Sequence, residues 1–149
     1  MNNDVKYSVL MAVYGGDDPA GIRAAAGSML DQSIKPDQFV IVVDGPVSGD
    51  TEEVLRALRR EAPEVFRIVV RRRNRGLASS LNLGLSLCRN ELVARMDADD
   101  VSLPERCEKE LSALSAREQE IRNRAALEKK IRDAYEILGS FESFRNAKT

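Results

Sequence analysis

Leu92-Val93-Ala94-Arg95-Met96-Asp97-Ala98-Asp99-Asp100 carries a short apolar run straight into a turn rich in carboxylates. Leu92 to Met96 has the length and character of a buried strand. Asp-rich turns often cap a following helix, so the D-x-D spacing alone leaves capping and metal binding both open. Position shifts the balance toward metal. Three similar runs precede this one: Tyr7 to Val13, Phe39 to Val43, and Phe66 to Val70. The carboxylates therefore stand at the end of a fourth buried strand.

Helical segments separate the runs. Pro19 to Leu30 reads as a helix capped by Asp17 or Asp18, with Pro19 suited to its first turn. Asp50 or Thr51 caps a second that runs to about Glu61, with Val54, Leu55 and Leu58 on one face. Ala78 to Leu87 is a third. The order β-α-β-α-β-α-β, with strands this apolar, predicts an α/β fold: a Rossmann-like, doubly wound, mainly parallel sheet covered on both faces. Such sheets bind ligands beyond the carboxyl ends of their strands. Four loops fall there: Tyr14-Gly15-Gly16, Asp44-Gly45-Pro46, Asn74-Arg75-Gly76, and Asp97 to Asp100.

Composition removes several chemistries. Histidine is absent, which excludes Ser-His-Asp and Cys-His nucleophiles and His-ligated zinc. Metal binding and proton transfer then rest mainly on carboxylates. A net charge of −1, no Trp and 5% aromatic residues argue against nucleic acid as a partner. Cys88 and Cys107 are 19 positions apart and read as reduced thiols. The polar start Met1-Asn2-Asn3-Asp4 and the lack of any long apolar run predict no signal peptide and no membrane span. The expected location is cytoplasmic, at most peripheral at the inner face of the membrane.

A diphosphate would be repelled by bare carboxylates, so Asp97, Asp99 and Asp100 imply a bridging divalent cation. Hard oxygen ligands suit Mg²⁺ or Mn²⁺, which can stabilise charge on a diphosphate leaving group. Two roles stay open for Asp44: accepting a hydrogen bond from a base or ribose, or opening its loop as an Asx-turn. Arg71-Arg72-Arg73-Asn74-Arg75-Gly76 is a basic loop whose arginines could pair with phosphate or orient a base. The first loop lacks both the dinucleotide and the P-loop glycine patterns.

The character changes after Pro104. Ser102 can cap, Pro104 fits a first turn, and a helix is predicted to about Leu138, broken near Ala116 and stopped at Gly139, with the tail from Ser140 frayed. Leu111, Leu114, Ile121, Ala125, Ile131, Ala134, Tyr135 and Leu138 form an imperfect apolar stripe on this charge-dense segment. A solvated helix and an oligomerising coiled coil are the two alternatives. The expected division is residues 1–106 and 107–149.

Taken in order, these residues resemble the donor half of a GT-A-fold, family 2 glycosyltransferase. The resemblance runs through Ser8 to Tyr14, Ser28-Met29-Leu30-Asp31-Gln32-Ser33 and Val42-Val43-Asp44-Gly45-Pro46. It continues through Asn74-Arg75-Gly76-Leu77, Leu81-Asn82-Leu83-Gly84-Leu85, Glu91 to Asp100 and Leu103-Pro104-Glu105-Arg106. The D-G-P form at Asp44 and the A-R-M-D-A-D-D form resemble members that build bacterial exopolysaccharide or lipopolysaccharide.

The resemblance implies an inverting transfer from a nucleotide-diphosphate sugar, most often UDP-linked, to a glycan or lipid-linked acceptor. It implies that Asp44 contacts the base, Ala12 and Tyr14 line the base pocket, and Asn74, Arg75 or Gly76 lie near base and ribose. Asp97 would face ribose and diphosphate, and Asp99, with Asp97 and Asp100, would hold the metal. Members of the family continue well past the L-P-E-R region and supply a general base there. No Asp or Glu after Arg106 sits in such a motif, so no catalytic base is assigned, and a chain limited to the donor-binding part is expected. The alternatives are a non-catalytic donor-fold module that forms a homodimer or binds a partner through its terminal helix, and another Rossmann-like domain such as a phosphotransfer receiver or nucleotidyltransferase.

Overall fold

The computed structural model describes residues 4–146, with side chains through residue 138. The elements are β1 (Tyr7–Val13), α1 (Pro19–Leu30), β2 (Gln38–Asp44), α2 (Gly49–Glu61), β3 (Phe66–Arg71), α3 (Leu77–Leu87), β4 (Leu92–Arg95) and α4 (Arg106–Asn146). The strands form one parallel sheet in the order β3-β2-β1-β4. The expected α/β class is what forms.

That order places the switch point between β1 and β4. The crossovers through α1 and α2 run one way along the sheet and the crossover through α3 runs back. With right-handed connections, α1 and α2 share one face and α3 takes the other. Accordingly α1 packs on α2, and α3 packs on β1 and β2. Strand alternation divides the core between them. Leu10, Val40 and Val42 meet Leu81, Leu83, Leu87, Cys88 and Val93 on the α3 side. A Cβ added at Gly84 would lie 2.2 Å from Leu10 Cδ1, so α3 sits on β1 at glycine distance. On the other side Phe39 and Phe66 stack at 5.0 Å between neighbouring strands.

Local chemistry sets the helix starts. Asp18 caps α1, its Oδ2 accepting the Gly21 N–H at 3.2 Å, with Pro19 next to it. The cap of α2 is Ser48, whose Oγ accepts the Thr51 N–H at 3.2 Å, so neither Asp50 nor Thr51, the expected candidates, takes that place. Asp50 and Glu52 in the first turn, and Arg59 and Arg60 in the last, then match the helix dipole.

The chain divides into two compact units, residues 1–108 and 109–149. Helix α4 departs from expectation at both ends and in its middle. It begins at Arg106, because Leu103 to Glu105 form a turn closed by the Arg106 N–H on the Leu103 carbonyl at 3.1 Å. It runs unbroken past Ala116 and through Gly139 to Asn146, since Ala116 is a strong helix former and one glycine costs only about 1 kcal/mol. Of the tail expected to fray, residues 147–149 lie outside the described residues. Within the second unit the helix carries exposed ion pairs, Arg117–Glu120 at 2.9 Å and Arg124–Glu128 at 3.1 Å. Leu114, Ile121, Ile131, Tyr135 and Leu138 of the stripe are also exposed.

Candidate functional site

Because all four strands are parallel, their carboxyl ends share one edge. Ala12 and Tyr14 lie at the end of β1, Asp44 ends β2, Asn74 to Gly76 follow β3, and Asp97 to Asp100 follow β4. Each residue predicted from the sequence to bind donor or metal falls on that edge.

Asp44 is 4% exposed and joins two of the loops. Its Oδ1 accepts the Arg75 N–H at 2.8 Å and its Oδ2 accepts the Gly76 N–H at 2.9 Å. Arg71, its register partner on β3, approaches Oδ1 at 3.6 Å. Arg71 in turn donates to Ser80 Oγ and Ser79 Oγ, each at 3.0 Å, which ties β3 to the first turns of α3. Burial works to push the Asp44 carboxyl up. The bonds from Arg75, Ser80 and Gly76, together with the Arg71 charge, outweigh it and hold the group below the usual carboxylate range. Asp44 is thus an ionised latch on the loop after β3, and it does so through backbone N–H groups rather than by a local Asx-turn.

Two glycines make that approach possible. Gly45 has φ +92°, and a Cβ there would fall 2.7 Å from the Asn74 backbone nitrogen. Gly76 has φ +90° and opens α3 with no side-chain cap. Asn74 Oδ1 accepts the Gly76 N–H as well, at 3.0 Å.

On the first loop, Tyr14 is 50% exposed and its ring lies over Gly16, where a Cβ would come within 2.6 Å of ring atoms. Since Asp18 takes the cap, Asp17 is left for another task. Its Oδ2 accepts the Tyr14 N–H at 2.9 Å. Its carboxyl is raised first by burial, against the Tyr14 bond, and further by the charges of Asp99 and Asp97. Asp17 therefore belongs to the same acidic neighbourhood, a role the sequence hid behind two adjacent cap candidates.

The fourth loop is anchored on both sides. The Met96 N–H donates to the Leu10 carbonyl at 2.9 Å, and Ala98 is buried. Asp97 Oδ1 accepts from Arg95 at 2.7 Å. Beyond the acidic turn the chain is clasped by the end of α1. Buried Gln32 donates to the Leu103 carbonyl at 2.8 Å and accepts the Cys107 N–H at 2.9 Å. Ser28 Oγ accepts the Ser102 N–H at 3.0 Å, and the Ser33 N–H donates to the Pro104 carbonyl at 2.8 Å. Arg106 reaches back to the Arg95 carbonyl at 2.9 Å. The Ser28-to-Ser33 segment is hence the scaffold of the acidic turn.

Among the described residues no three His, Cys, Asp or Glu side chains close into a group that could hold a metal unaided. Asp99 and Asp100 are exposed at the strand end with Asp97 beside them. This donor set fits a hard divalent cation that takes its remaining oxygens from phosphate and water.

A family model described as Glycosyl transferase family 2 matches residues 8–125. The chain is 36% identical over 121 residues to the amylovoran biosynthesis glycosyltransferase AmsE of Erwinia amylovora, covering 81% of this chain and 45% of that protein. It is 35% identical over 109 residues to the UDP-Gal:alpha-D-GlcNAc-diphosphoundecaprenol beta-1,3-galactosyltransferase of Escherichia coli, covering 72% of this chain and 39% of that protein. The chain thus spans less than half the length of these relatives. Among solved structures, S. aureus TarS 1-349 matches with a TM-score of 0.63 at 20% identity, covering 75% of this chain and 33% of that one. The mannosyltransferase PcManGT of Pyrobaculum calidifontis, in complex with GDP-Man and Mn²⁺, matches with a TM-score of 0.59 at 20% identity, covering 69% and 31%.

Proposed function

The chain belongs to glycosyl transferase family 2, and we propose that it is the donor-binding part of a glycosyltransferase that acts in surface polysaccharide synthesis. The donor is a nucleotide-diphosphate sugar, UDP-linked, and the acceptor a glycan or a lipid-linked saccharide. The observation that carries this is the meeting of four strand-end loops on one edge, with Asp44 latching the loop after β3 and a carboxylate turn after β4. Relatives named for amylovoran synthesis and for galactosyl transfer to a diphosphoundecaprenol-linked sugar support the polysaccharide setting.

The residues divide the work. Asp44 holds Arg75 and Gly76 so that Asn74 to Gly76, with Ala12 and Tyr14, form the wall against base and ribose. Asp97, Asp99 and Asp100 would hold Mn²⁺ or Mg²⁺, which would supply positive charge to offset that of a diphosphate leaving group. Arg95 pairs with Asp97 at 2.7 Å at the same edge. No residue is assigned as general base. Glu118, Glu120, Glu128 and Asp133 lie on exposed positions of α4, and such a base must be within hydrogen-bond reach of the acceptor hydroxyl. No helix among the described residues is long and apolar enough to cross a membrane; we propose a cytoplasmic protein, peripheral where its acceptor is lipid-linked.

The test is calorimetric titration with UDP and with GDP, each with and without Mn²⁺. Metal-dependent UDP binding is expected, and no binding in any combination would sink the proposal. A second role is suggested by the exposed Leu114, Ile121, Ile131 and Leu138: self-association through α4. Light scattering of the chain with and without residues 117–149 decides it, and a monomer in both cases removes it.

A further inference from the structure

A cavity of about 490 Å³ lies between α2 and β3, on the face of the sheet opposite α3. Its walls follow from periodicity. Glu52, Leu55, Arg56 and Arg59 stand at i, i+3, i+4 and i+7 on one face of α2, and Ile68 and Val70 stand at i and i+2 on β3. Val43 and the loop from Gly45 to Val47 close one side, and Arg71 and Arg72 another. The volume falls within the roughly 300–1,000 Å³ range of small-molecule sites. The cavity borders the donor edge at Gly45, Pro46, Arg71 and Arg72, but Val43, Ile68 and Val70 stand on the face of the sheet opposite Asp44.

Two features distinguish it from an incidental gap. Its accessible apolar surface comes from Ile68 and from Val70, which is left 68% exposed although it sits on the helix-covered side of the sheet, while Val43 and Leu55 of the lining are themselves buried. Its rim is unbalanced in charge. Arg56 is neutralised by Glu52 at 3.0 Å and Glu53 at 3.5 Å, and Arg71 is engaged by Asp44 and two serines. Arg59 and Arg72 ion-pair with nothing among the described residues. The buried stripe of α2, Thr51, Leu55 and Leu58, faces the sheet, and Arg56 and Arg59 stand on its exposed flank above the cavity. An apolar floor beneath two uncompensated arginines is complementary to an acid group carried on an aliphatic chain. A phosphate monoester, with about −1.5 to −2 charge at neutral pH, matches that rim.

We propose that this cleft is a second binding site, separate from the donor edge, for an amphiphile with a phosphate head group. The aliphatic part lies on Ile68 and Val70, over the buried Val43 and Leu55, and the phosphate on Arg59 and Arg72. The site does not depend on the donor assignment and stands or falls separately from it.

The probe is octyl phosphate below its micelle concentration, titrated into the isotope-labelled full chain and followed by methyl and amide NMR. Shifts confined to Val43, Leu55, Ile68, Val70 and the flanking amides are expected, weakened when salt is raised. Inorganic phosphate and octyl glucoside, each supplying half of the chemistry, are expected to bind at least tenfold more weakly. Arg59→Glu and Val70→Glu, both at exposed positions, are expected to weaken octyl phosphate at least tenfold and to leave Mn²⁺-dependent UDP binding as it was. Equal affinity for octyl glucoside, shifts elsewhere on the chain, or unchanged affinity in both variants would overturn the proposal. Sedimentation with vesicles of phosphatidic acid in phosphatidylcholine, and of phosphatidylcholine alone, separates the sources of the head group. Co-sedimentation with the anionic vesicles that Arg59→Glu abolishes supports the site as a lipid site. Octyl phosphate binding without co-sedimentation supports it as a site for a soluble amphiphile.

Discussion

Asp44→Asn removes one charge and turns one acceptor oxygen into a donor, with almost no change in shape. In the native protein both oxygens are engaged, by the Arg75 N–H at 2.8 Å and the Gly76 N–H at 2.9 Å, and Arg71 stands 3.6 Å away. Asparagine can accept only one of the two N–H groups. The amide then keeps the Arg75 N–H and turns its NH₂ toward the Gly76 N–H, which retains Asn74 Oδ1, so losing a hydrogen bond to a charged group and gaining a donor–donor contact costs about 1–3 kcal/mol. Arg71 loses its counter-charge but keeps Ser79 and Ser80, which holds the added penalty to about 1 kcal/mol, the scale of a partly exposed pair. The expected loss is therefore about 2–4 kcal/mol, read as a lower urea midpoint at unchanged slope. The pH dependence has a definite sign. The Asp44 carboxyl is depressed in the folded state. Its contribution is complete above the unfolded value of about 3.9 and is lost as pH falls through the folded value. The gap between native protein and variant should be constant near neutrality and close in acid below about pH 4. Because the latch positions the loop rather than a single base contact, UDP and GDP binding should weaken together. A stability change under about 0.5 kcal/mol, the ordinary surface value, or a gap that persists unchanged to the acid limit, would refute the latch.

Gly84→Ala places a Cβ 2.2 Å from Leu10 Cδ1; overpacking there should cost about 1–3 kcal/mol in urea unfolding while leaving the far end of the sheet intact. Gln32→Leu keeps the volume but strips the Leu103 carbonyl and the Cys107 N–H of their partner; a loss of about 2–4 kcal/mol is expected, with weaker metal-dependent nucleotide binding. Asp99→Asn, at an exposed position, should abolish the Mn²⁺-dependent part of UDP binding with the urea midpoint unchanged, and a retained Mn²⁺ dependence would remove Asp99 from the metal's ligands.

Much of the fold was legible because its two central strands, β1 and β2, are buried on both faces, whereas the outer strands β3 and β4, expected to be buried as well, are only partly so. Runs such as Phe39-Val40-Ile41-Val42-Val43 leave no other economical assignment, and glycine- and Asp-rich loops mark where they end. Ends of helices were less legible. In Ser48-Gly49-Asp50-Thr51 three residues can cap, and only the extended backbone at Ser48 (φ −67°, ψ 160°) selects one. The same ambiguity at Asp17-Asp18 concealed the carboxylate that accepts the Tyr14 N–H. In the run Arg71-Arg72-Arg73, charge alone does not say which arginine points at Asp44. The register does, because Asp44 and Arg71 are cross-strand partners. Gln32 gave no signal by composition at all: a polar residue just after a helix reads as surface until Leu103 and Cys107 are brought to it from 71 and 75 residues away.

The clasp between the end of α1 and residues 102–107 has a thermodynamic consequence for when order is acquired. Fixing the backbone of a residue costs about 1–2 kcal/mol, so four residues of an acidic turn represent roughly 4–8 kcal/mol of lost freedom. With Met96 held by Leu10 on one side and Ser102 and Leu103 held by Ser28 and Gln32 on the other, that loss falls on the folding reaction. A cation and a diphosphate arriving at Asp97 to Asp100 then meet a turn already ordered, and little of their attraction is diverted into arranging it.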